Sequence, residues 1–198
     1  MSADLLLIAM ELLERGDATG ALAVLERARP ASEDDSNLHL LLGRCHETRE
    51  DWPRAEIAYR RSLELRPDAA VCLFHCVVLD RLGRDDESIA GLHRALEIDP
   101  DYEEAHYNLG HLAQRGGDLD AAAARFRRAI ELDPDYAEAH ASLGRLLLQR
   151  ALPAPHAVTD PDWQRAHDHL TRAAALDPHD THVRDSLAAM AVVVERSR

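Results

Sequence analysis

The chain has 198 residues and a formal net charge of −13, with 23 Lys and Arg residues against 36 Asp and Glu residues. This acidity argues against nucleic acid or an anionic membrane surface as the main partner, because both bind basic faces. Apolar residues make up 46% of the chain but aromatic residues only 4%, so alanine and leucine must supply most of the packing.

The N-terminal segment carries an apolar run from Leu5 to Met10. No basic segment precedes the run and no cleavage site follows it, so a first helix is favoured over a signal peptide. No segment approaches the roughly 18 apolar residues that span a bilayer. The three cysteines, Cys45, Cys72 and Cys76, do not form the dense, even set of a secreted disulfide framework. We therefore expect a cytoplasmic, reduced protein.

The stretch from Glu103 to Tyr136 is typical of a complete helix–turn–helix unit. Gly116–Gly117 and Asp133–Pro134 mark the ends of its two helices, because both dipeptides are strong stop signals. Small residues leave room for the helices to approach closely, at Gly110, Ala122 and Ala129. Large apolar residues fill the remaining space, at Leu109, Leu119, Phe126 and Ile130.

The same unit recurs along the chain. The small residues stand twelve positions apart in three places: Ala9 and Ala21, Gly43 and Ala55, Gly110 and Ala122. Closing prolines recur at intervals of 33 and 34 residues, at Pro67, Pro100 and Pro134. A helical repeat of about 34 residues with this pattern of small and large positions is the tetratricopeptide (TPR) signature.

The chain therefore resembles the TPR family over nearly its whole length. The resemblance implies an all-α, right-handed α-solenoid of about five TPR helix–turn–helix units plus a C-terminal capping helix, in a single domain. The predicted repeats span about residues 2–35, 36–69, 70–102, 103–136 and 137–180, and the capping helix spans 181–198. Solenoids need such a terminal helix to cover the apolar face of the last repeat.

Two repeats depart from the pattern. In repeat three, Cys76 and Val77 stand where the family has Leu-Gly, and one residue is missing before Gly83. In repeat five about ten extra residues fall near 151–160, where several prolines predict a projecting, mobile loop. At the starts of repeats four and five, two motifs have the form of capping boxes, in which the aspartate caps the helix: Asp101-x-x-Glu104 and Asp135-x-x-Glu138.

Several clusters contain residue types that occur in chemical sites. Cys72, His75 and Cys76 share a helical stretch, but core packing explains them better than metal binding, because two further ligands are lacking. Three histidines share one repeat position, which favours packing: His39, His106 and His140. Four others are expected to be scattered on the surface, although weak nickel or zinc binding stays open: His167, His169, His179 and His182. The sequence contains no catalytic or nucleotide-binding motif, so neither an enzyme nor a cofactor is predicted.

The resemblance also implies a binding surface, since in TPR proteins the first helix of each repeat lines the concave groove. It implies a non-enzymatic scaffold or adaptor that binds a peptide or helix of a partner protein there. The residues expected to contact the partner are Leu6, Met10, Leu40, Leu41, Arg44, Phe74, His75, Val78, Arg81, Tyr107, Asn108, His111, Arg115 and Arg145. Other positions on this face include Leu7, Glu47, Gln114, Ser142 and Gln149. The chain has no lysine, so the Lys-based clamp for chaperone tails is not expected.

Two alternative functions stay open at the level of the sequence. The first predicted helix is apolar nearly all round, which suggests a self-associating scaffold that forms a homo-oligomer through this helix. The second alternative is that the chain serves as a regulatory or recognition subunit of a separately encoded enzyme.

Overall fold

The computed structural model describes residues 2–32, 34–152 and 157–196. Within these ranges the chain forms helices and no strand, which confirms the all-α prediction. The α-helices are α1 (Ser2–Glu14), α2 (Ala18–Ser32), α3 (Ser36–Thr48), α4 (Trp52–Leu65), α5 (Ala69–Arg81), α6 (Asp85–Ile98), α7 (Glu103–Arg115), α8 (Leu119–Leu132), α9 (Ala137–Ala151), α10 (Pro161–Leu176) and α11 (Thr181–Arg196). A short 3-10 helix, Ala157–Thr159, precedes α10. The right-handed course and the number of repeats stay predictions.

The helices pack in consecutive pairs that follow the predicted repeats: α1 with α2, α3 with α4, α5 with α6, α7 with α8, and α9 with α10. The chain forms two compact units, Met1–Pro100 and Asp101–Arg198, and each is described by itself. In the second unit α11 packs against α10 and buries Val183 and Met190, as expected of a capping helix. None of the described helices combines the length and apolar character needed to cross a membrane.

Within each pair the two helices approach most closely at one small residue of the first helix. Glycine occupies this position in three pairs, opposite a fully buried large residue: Gly43 with Tyr59, Gly110 with Phe126, and Gly144 with Leu170. A Cβ atom added at Gly110 would lie 2.6 Å from Cε1 of Phe126, which is closer than carbon atoms pack. Close approach of the helices therefore depends on the absence of a side chain at this position.

The third pair has Cys76 in the glycine position. Its thiol donates to the carbonyl oxygen of Ser88 at 3.2 Å, and the Ser88 hydroxyl donates to the Cys76 carbonyl oxygen at 3.2 Å. Ser88 follows Cys76 by twelve positions, the spacing of the other pairs. The prediction that Val77 takes the glycine position is therefore wrong by one residue.

The residue missing from repeat three lies before α5. Pro67 precedes Cys76 by nine positions, whereas Pro100 precedes Gly110 by ten. Accordingly, α5 begins two residues after its proline, and α7 begins three residues after its own. The deletion thus shortens the turn before α5 and shifts every side chain of that helix by one place relative to the predicted alignment.

The predicted capping boxes are wrong. Tyr102 and Tyr136 are the N-cap residues of α7 and α9, and neither side chain accepts a capping hydrogen bond. The preceding aspartates instead form exposed ion pairs with the second helix of the same pair: Asp101 with Arg128 at 2.7 Å, and Asp135 with Arg172. Asp34 and Arg61 form the same pair at 3.1 Å in the first unit. Exposed pairs of this kind contribute little to stability, about 0–1 kcal/mol each.

The insertion in repeat five is only partly described. Its first residue, Ala151, is the last residue of α9 and is fully buried, and Val158 packs against the core of the second unit. The prediction of a projecting loop is therefore wrong for these two residues. Residues 153–156 lie outside the described ranges.

The three histidines at the shared repeat position are buried, which confirms that they pack: His39, His106 and His140. His140 Nε2 lies 3.2 Å from the carbonyl oxygen of Pro134, and its Nδ1 lies 3.0 Å from Nδ1 of His169. His169, expected on the surface, is therefore half-buried and joins α10 to α9. If both rings were protonated, two N–H groups would face each other and this hydrogen bond would be lost.

The contact between Gly110 and Phe126 predicts a paired mutational effect. Gly110→Ala should cost about 1–3 kcal/mol from overpacking, against a gain of about 1 kcal/mol in helix propensity, so a net loss is expected. Phe126→Leu in the same chain should relieve the overlap, because it recreates the combination of Ala9 and Leu25 in the first pair. Urea unfolding of the single and double variants measures this coupling.

Gly116→Ala is the matched control, because its nearest atoms would lie 3.5 Å away. It should be neutral or slightly stabilising. Additive losses in the double variant would contradict the proposed contact.

The pair of histidines predicts a dependence of stability on pH. Burial lowers the pKa of both His140 and His169 below 6.5, and in His169 the neighbouring His140 lowers it further. As the pH falls, the unfolded chain therefore binds protons at a higher pH than the folded chain does. Stability is highest above the ordinary histidine pKa of 6.5 and falls as the pH drops from there toward the lowered pKa of the folded state. Between about pH 7.5 and pH 5.5 the urea midpoint should fall less in His169→Gln than in the native protein. His167 is an exposed residue of α10 near His169. In His167→Gln the urea midpoint should fall as far as it does in the native protein.

Candidate functional site

In each first helix, the predicted contacts stand at fixed sequence positions relative to the small residue that faces the second helix. These positions are three and two residues before the small residue, and one, four and five residues after it. We call the side chains at these positions the first-helix surface. In α3 they are Leu40, Leu41, Arg44, Glu47 and Thr48. In α7 they are Tyr107, Asn108, His111, Gln114 and Arg115.

With Cys76 in the small position, the first-helix surface of α5 differs from the prediction. It contains Phe74 and Arg81 as expected, but also Leu73, Val77 and Asp80. His75 and Val78, both predicted contacts, fall outside it. The cause is the shortened turn before α5, which the spacing of the prolines alone does not locate.

His75 and Val78 contribute to the interior instead. Val78 is 0% exposed. His75 Nε2 lies 3.5 Å from Oε1 of the buried Glu56 on α4, and a guanidinium nitrogen of Arg84 lies 3.5 Å from the same oxygen. Burial lowers the pKa of His75. The carboxylate of Glu56 thus links α4 to α5. Val78 is inaccessible to a partner, and His75 is half-buried.

The predicted apolar contacts of the first unit are divided between core and surface. Leu41 is only 7% exposed and belongs to the core of this unit, against which Leu6 also packs. Met10 is exposed and Leu40 is half-buried. Met10 and Leu40 therefore offer apolar surface to a partner, whereas Leu41 does not.

Side chains of neighbouring first helices meet on the surface of the first unit. The guanidinium carbon of Arg44 lies 6.0 Å from the ring centroid of Phe74, and Phe74 stacks on Tyr59 at 6.0 Å. The Tyr59 hydroxyl donates to the carboxylate of Glu47. Arg81 lies over the ring of Trp52 at 5.7 Å. Both arginines are thus held by the faces of aromatic rings, which attract cations.

In the second unit the predicted contacts converge on Ser142, a buried residue of α9. Its hydroxyl lies 3.4 Å from Nε2 of His111 and accepts a bond of 3.4 Å from Arg145. Ser142 is only 2% exposed, so it is the internal centre of a polar cluster that joins α7 to α9.

Aromatic rings pack against the members of this polar cluster. Tyr107 contacts His111 edge-on at 4.5 Å and Tyr136 at 5.0 Å, and His111 lies 5.1 Å from Phe126. Tyr136 was not predicted to take part, although the Pro-Asp-Tyr sequence that carries it recurs at Tyr102. The rings fix the polar groups in place, since packed side chains have few alternative rotamers.

Asn108 and Arg115 complete the predicted set on α7. The Asn108 amide donates to the carbonyl oxygen of Glu104, one turn earlier, at 2.7 Å. This bond holds the side chain against its own helix. Arg115 lies exposed at the end of α7.

Three arginines of the first-helix surface have no carboxylate partner. Among the described side chains, no ion pair involves Arg44, Arg81 or Arg145, which rest on a ring or a hydroxyl instead. Arginines elsewhere behave differently, as Arg128 and Arg172 on second helices and Arg150 at the end of α9 each pair with an aspartate. Pairing with the protein's own acidic residues therefore does not account for the three arginines of the first-helix surface.

The cysteines are buried and free. Burial raises the pKa of the Cys76 thiol to about 12 and that of Cys45 to about 11, so both thiols are protonated at neutral pH. A metal would require the thiolate form. In the described part of the chain, no three His, Cys, Asp or Glu side chains come together in a way that could hold a metal ion.

Two family models match the chain. A family model described as tetratricopeptide repeat matches residues 6–70, and one described as TPR repeat matches residues 81–115 and 115–150. No curated protein matches the sequence.

Solved structures share the fold at low sequence identity. YrrB, described as a TPR protein with an unusual peptide-binding site, is 19% identical, with 94% of this chain and 91% of that chain covered and a TM-score of 0.69. MamA from Desulfovibrio magneticus RS-1 is 20% identical, with coverages of 91% and 97% and a TM-score of 0.73. TTC0263, a thermophilic TPR protein of Thermus thermophilus, is 20% identical, with coverages of 97% and 100% and a TM-score of 0.69.

Paired helices with a small residue opposite a large one, the family models and the solved structures all lead to one assignment. The chain belongs to the tetratricopeptide repeat family, whose fold is in general a non-enzymatic scaffold for protein–protein interaction.

Proposed function

We propose that this protein is a non-enzymatic scaffold that binds a peptide or helix of a partner protein on its first-helix surface. This surface corresponds to the concave groove that TPR proteins use. One observation carries the proposal. Side chains from successive first helices meet there in mixed aromatic and polar clusters, Arg44 with Phe74 in one unit and Tyr107, His111 and Arg145 around Ser142 in the other.

The chemistry of the two clusters suits a polypeptide ligand. Met10, Leu40 and Phe74 can accept apolar side chains, because contact with a partner removes apolar surface from water. The guanidinium groups of Arg44 and Arg145 can donate to backbone carbonyl oxygens. YrrB, whose title describes a peptide-binding site, supports the proposal by its shared fold.

Site-specific photo-crosslinking in the host cell tests the proposed surface. A benzophenone amino acid would replace Gln149, an exposed residue of the first-helix surface on α9. The matched control is the same replacement of Gln164, which is exposed on the second helix α10. Ultraviolet light should join a partner protein to the Gln149 variant and not to the Gln164 variant, as measured by gel shift and mass spectrometry. Equal crosslinking at both positions, or crosslinking at Gln164 alone, would place the partner elsewhere.

Self-association through α1 is the second candidate function, and one observation favours it. Ile8 occupies the position immediately before the small residue, where Leu42, Leu109 and Leu143 are buried. In α1 this position is 44% exposed, and Leu7 beside it is 53% exposed. Adjacent exposed apolar side chains are typical of a contact surface.

Sedimentation of an Ile8→Glu variant tests this candidate. If α1 forms a homo-oligomer, the native protein should sediment above monomer size and the variant as a monomer, because a buried charge without a partner is costly. Ile57→Glu is the control, since Ile57 is 56% exposed on α4 and outside α1. A native protein that sediments as a monomer at high concentration would eliminate this candidate.

A further inference from the structure

The second unit contains an arginine, Arg145, that forms no ion pair with any side chain that the structure describes. Arg128 lies 2.7 Å from Asp101, and Arg150 lies 2.8 Å from Asp120. Arg145 donates only to the Ser142 hydroxyl, at 3.4 Å, among the residues whose side chains the structure describes. In a chain of net charge −13, an arginine without a carboxylate partner is a candidate binding group.

We infer that the partner presents an acidic side chain, Asp or Glu, to the cluster of Tyr107, His111, Ser142 and Arg145. This inference rests on the proposed function and names the chemistry of the ligand. A guanidinium group has five N–H donors, and the single long bond to Ser142 leaves most of them available. A carboxylate can accept two of them side by side, whereas a backbone carbonyl offers one oxygen. The arginine therefore favours an acidic side chain over a neutral one.

Arg145 is tied to the polar cluster through its hydrogen bond to Ser142. Ser142 is nearly fully buried and fixed between α7 and α9, so the hydroxyl that accepts from Arg145 does not move freely. Tyr107 and His111 are in turn held by ring contacts with Tyr136 and Phe126. A preorganised group loses less conformational entropy on binding, which raises affinity for the matching ligand.

The local charge of the cluster, and not the net charge of the chain, determines which ligand it accepts. Arg145 is the charged member of the cluster, where it donates to Ser142. Burial is the main cause of the raised pKa of the Tyr107 hydroxyl; Glu138 raises this pKa further and Arg145 lowers it, so the cluster has one charge of each sign near it. At physiological salt, charges separated by more than about 8 Å are largely screened. A basic side chain at the cluster would meet Arg145 at short range, whereas an acidic one is attracted to it.

Selection from a library of random dodecapeptides displayed on phage tests the inference without a known partner. The purified full-length protein is the bait. Selected peptides should be enriched in Asp and Glu relative to the starting library. Their affinity, measured with synthetic copies, should fall about tenfold or more in Arg145→Gln, because a hydrogen bond to a charged group is lost. Arg145→Lys keeps the charge but not the planar fork and should give an intermediate loss.

Arg127→Gln is the matched control, an exposed arginine of α8 with the same change of charge, and it should bind as the native protein does. Circular dichroism checks that every variant remains folded. Three results would overturn the inference: no selected peptides, selected peptides without an acidic excess, or an acidic excess that survives Arg145→Gln. Crosslinking at Gln149 judges the proposed function separately, because a partner of any chemistry gives that signal.

Discussion

The close approach of the two helices in each pair is the constraint on which the rest of the structure depends. Phe126 lies directly against the backbone at Gly110, and this contact fixes how α7 is rotated about its own axis. Tyr107 and His111 lie three residues before and one residue after the glycine. Their side chains therefore point about a quarter of a turn away from the side of α7 that faces Phe126. The buried contact between glycine and ring thus determines which side chains are presented to a partner.

The same dependence explains how far the sequence predicts the structure. The helical spacing of apolar residues, the stop signals at helix ends and the spacing of small residues are local features of the sequence. The helices and their pairing can therefore be predicted from them. The rotation of α5 was missed, because it depends on where one residue is missing. The twelve-residue spacing between Cys76 and Ser88, the early start of α5 and the hydrogen bonds between these two residues together locate the deletion before α5. Leu41 likewise lies on the predicted face, but packing in the core of the first unit buries it.

Electrostatic partners were harder to predict than packing. Asp34 and Arg61 are 27 residues apart, as are Asp101 and Arg128, so the recurring ion pair is visible once the contact is known. Before that, the aspartates matched capping boxes equally well, because Asp suits both roles. The sequence also did not predict that Ser142 lies at the centre of the polar cluster. A small hydroxyl residue on a helix can have many roles, and its neighbour His111 comes from another helix.

The contact between paired helices and the first-helix surface lie on different sides of the first helices. Gly144 faces Leu170, whereas Arg145, the next residue, faces the first-helix surface. Substitution at the surface position can therefore change the ligand without disturbing the contact between the helices. This separation explains why the fold is shared with YrrB at 19% identity: a few small and large positions suffice to maintain it. The remaining positions are free to differ, so the shared fold does not specify a ligand for this chain.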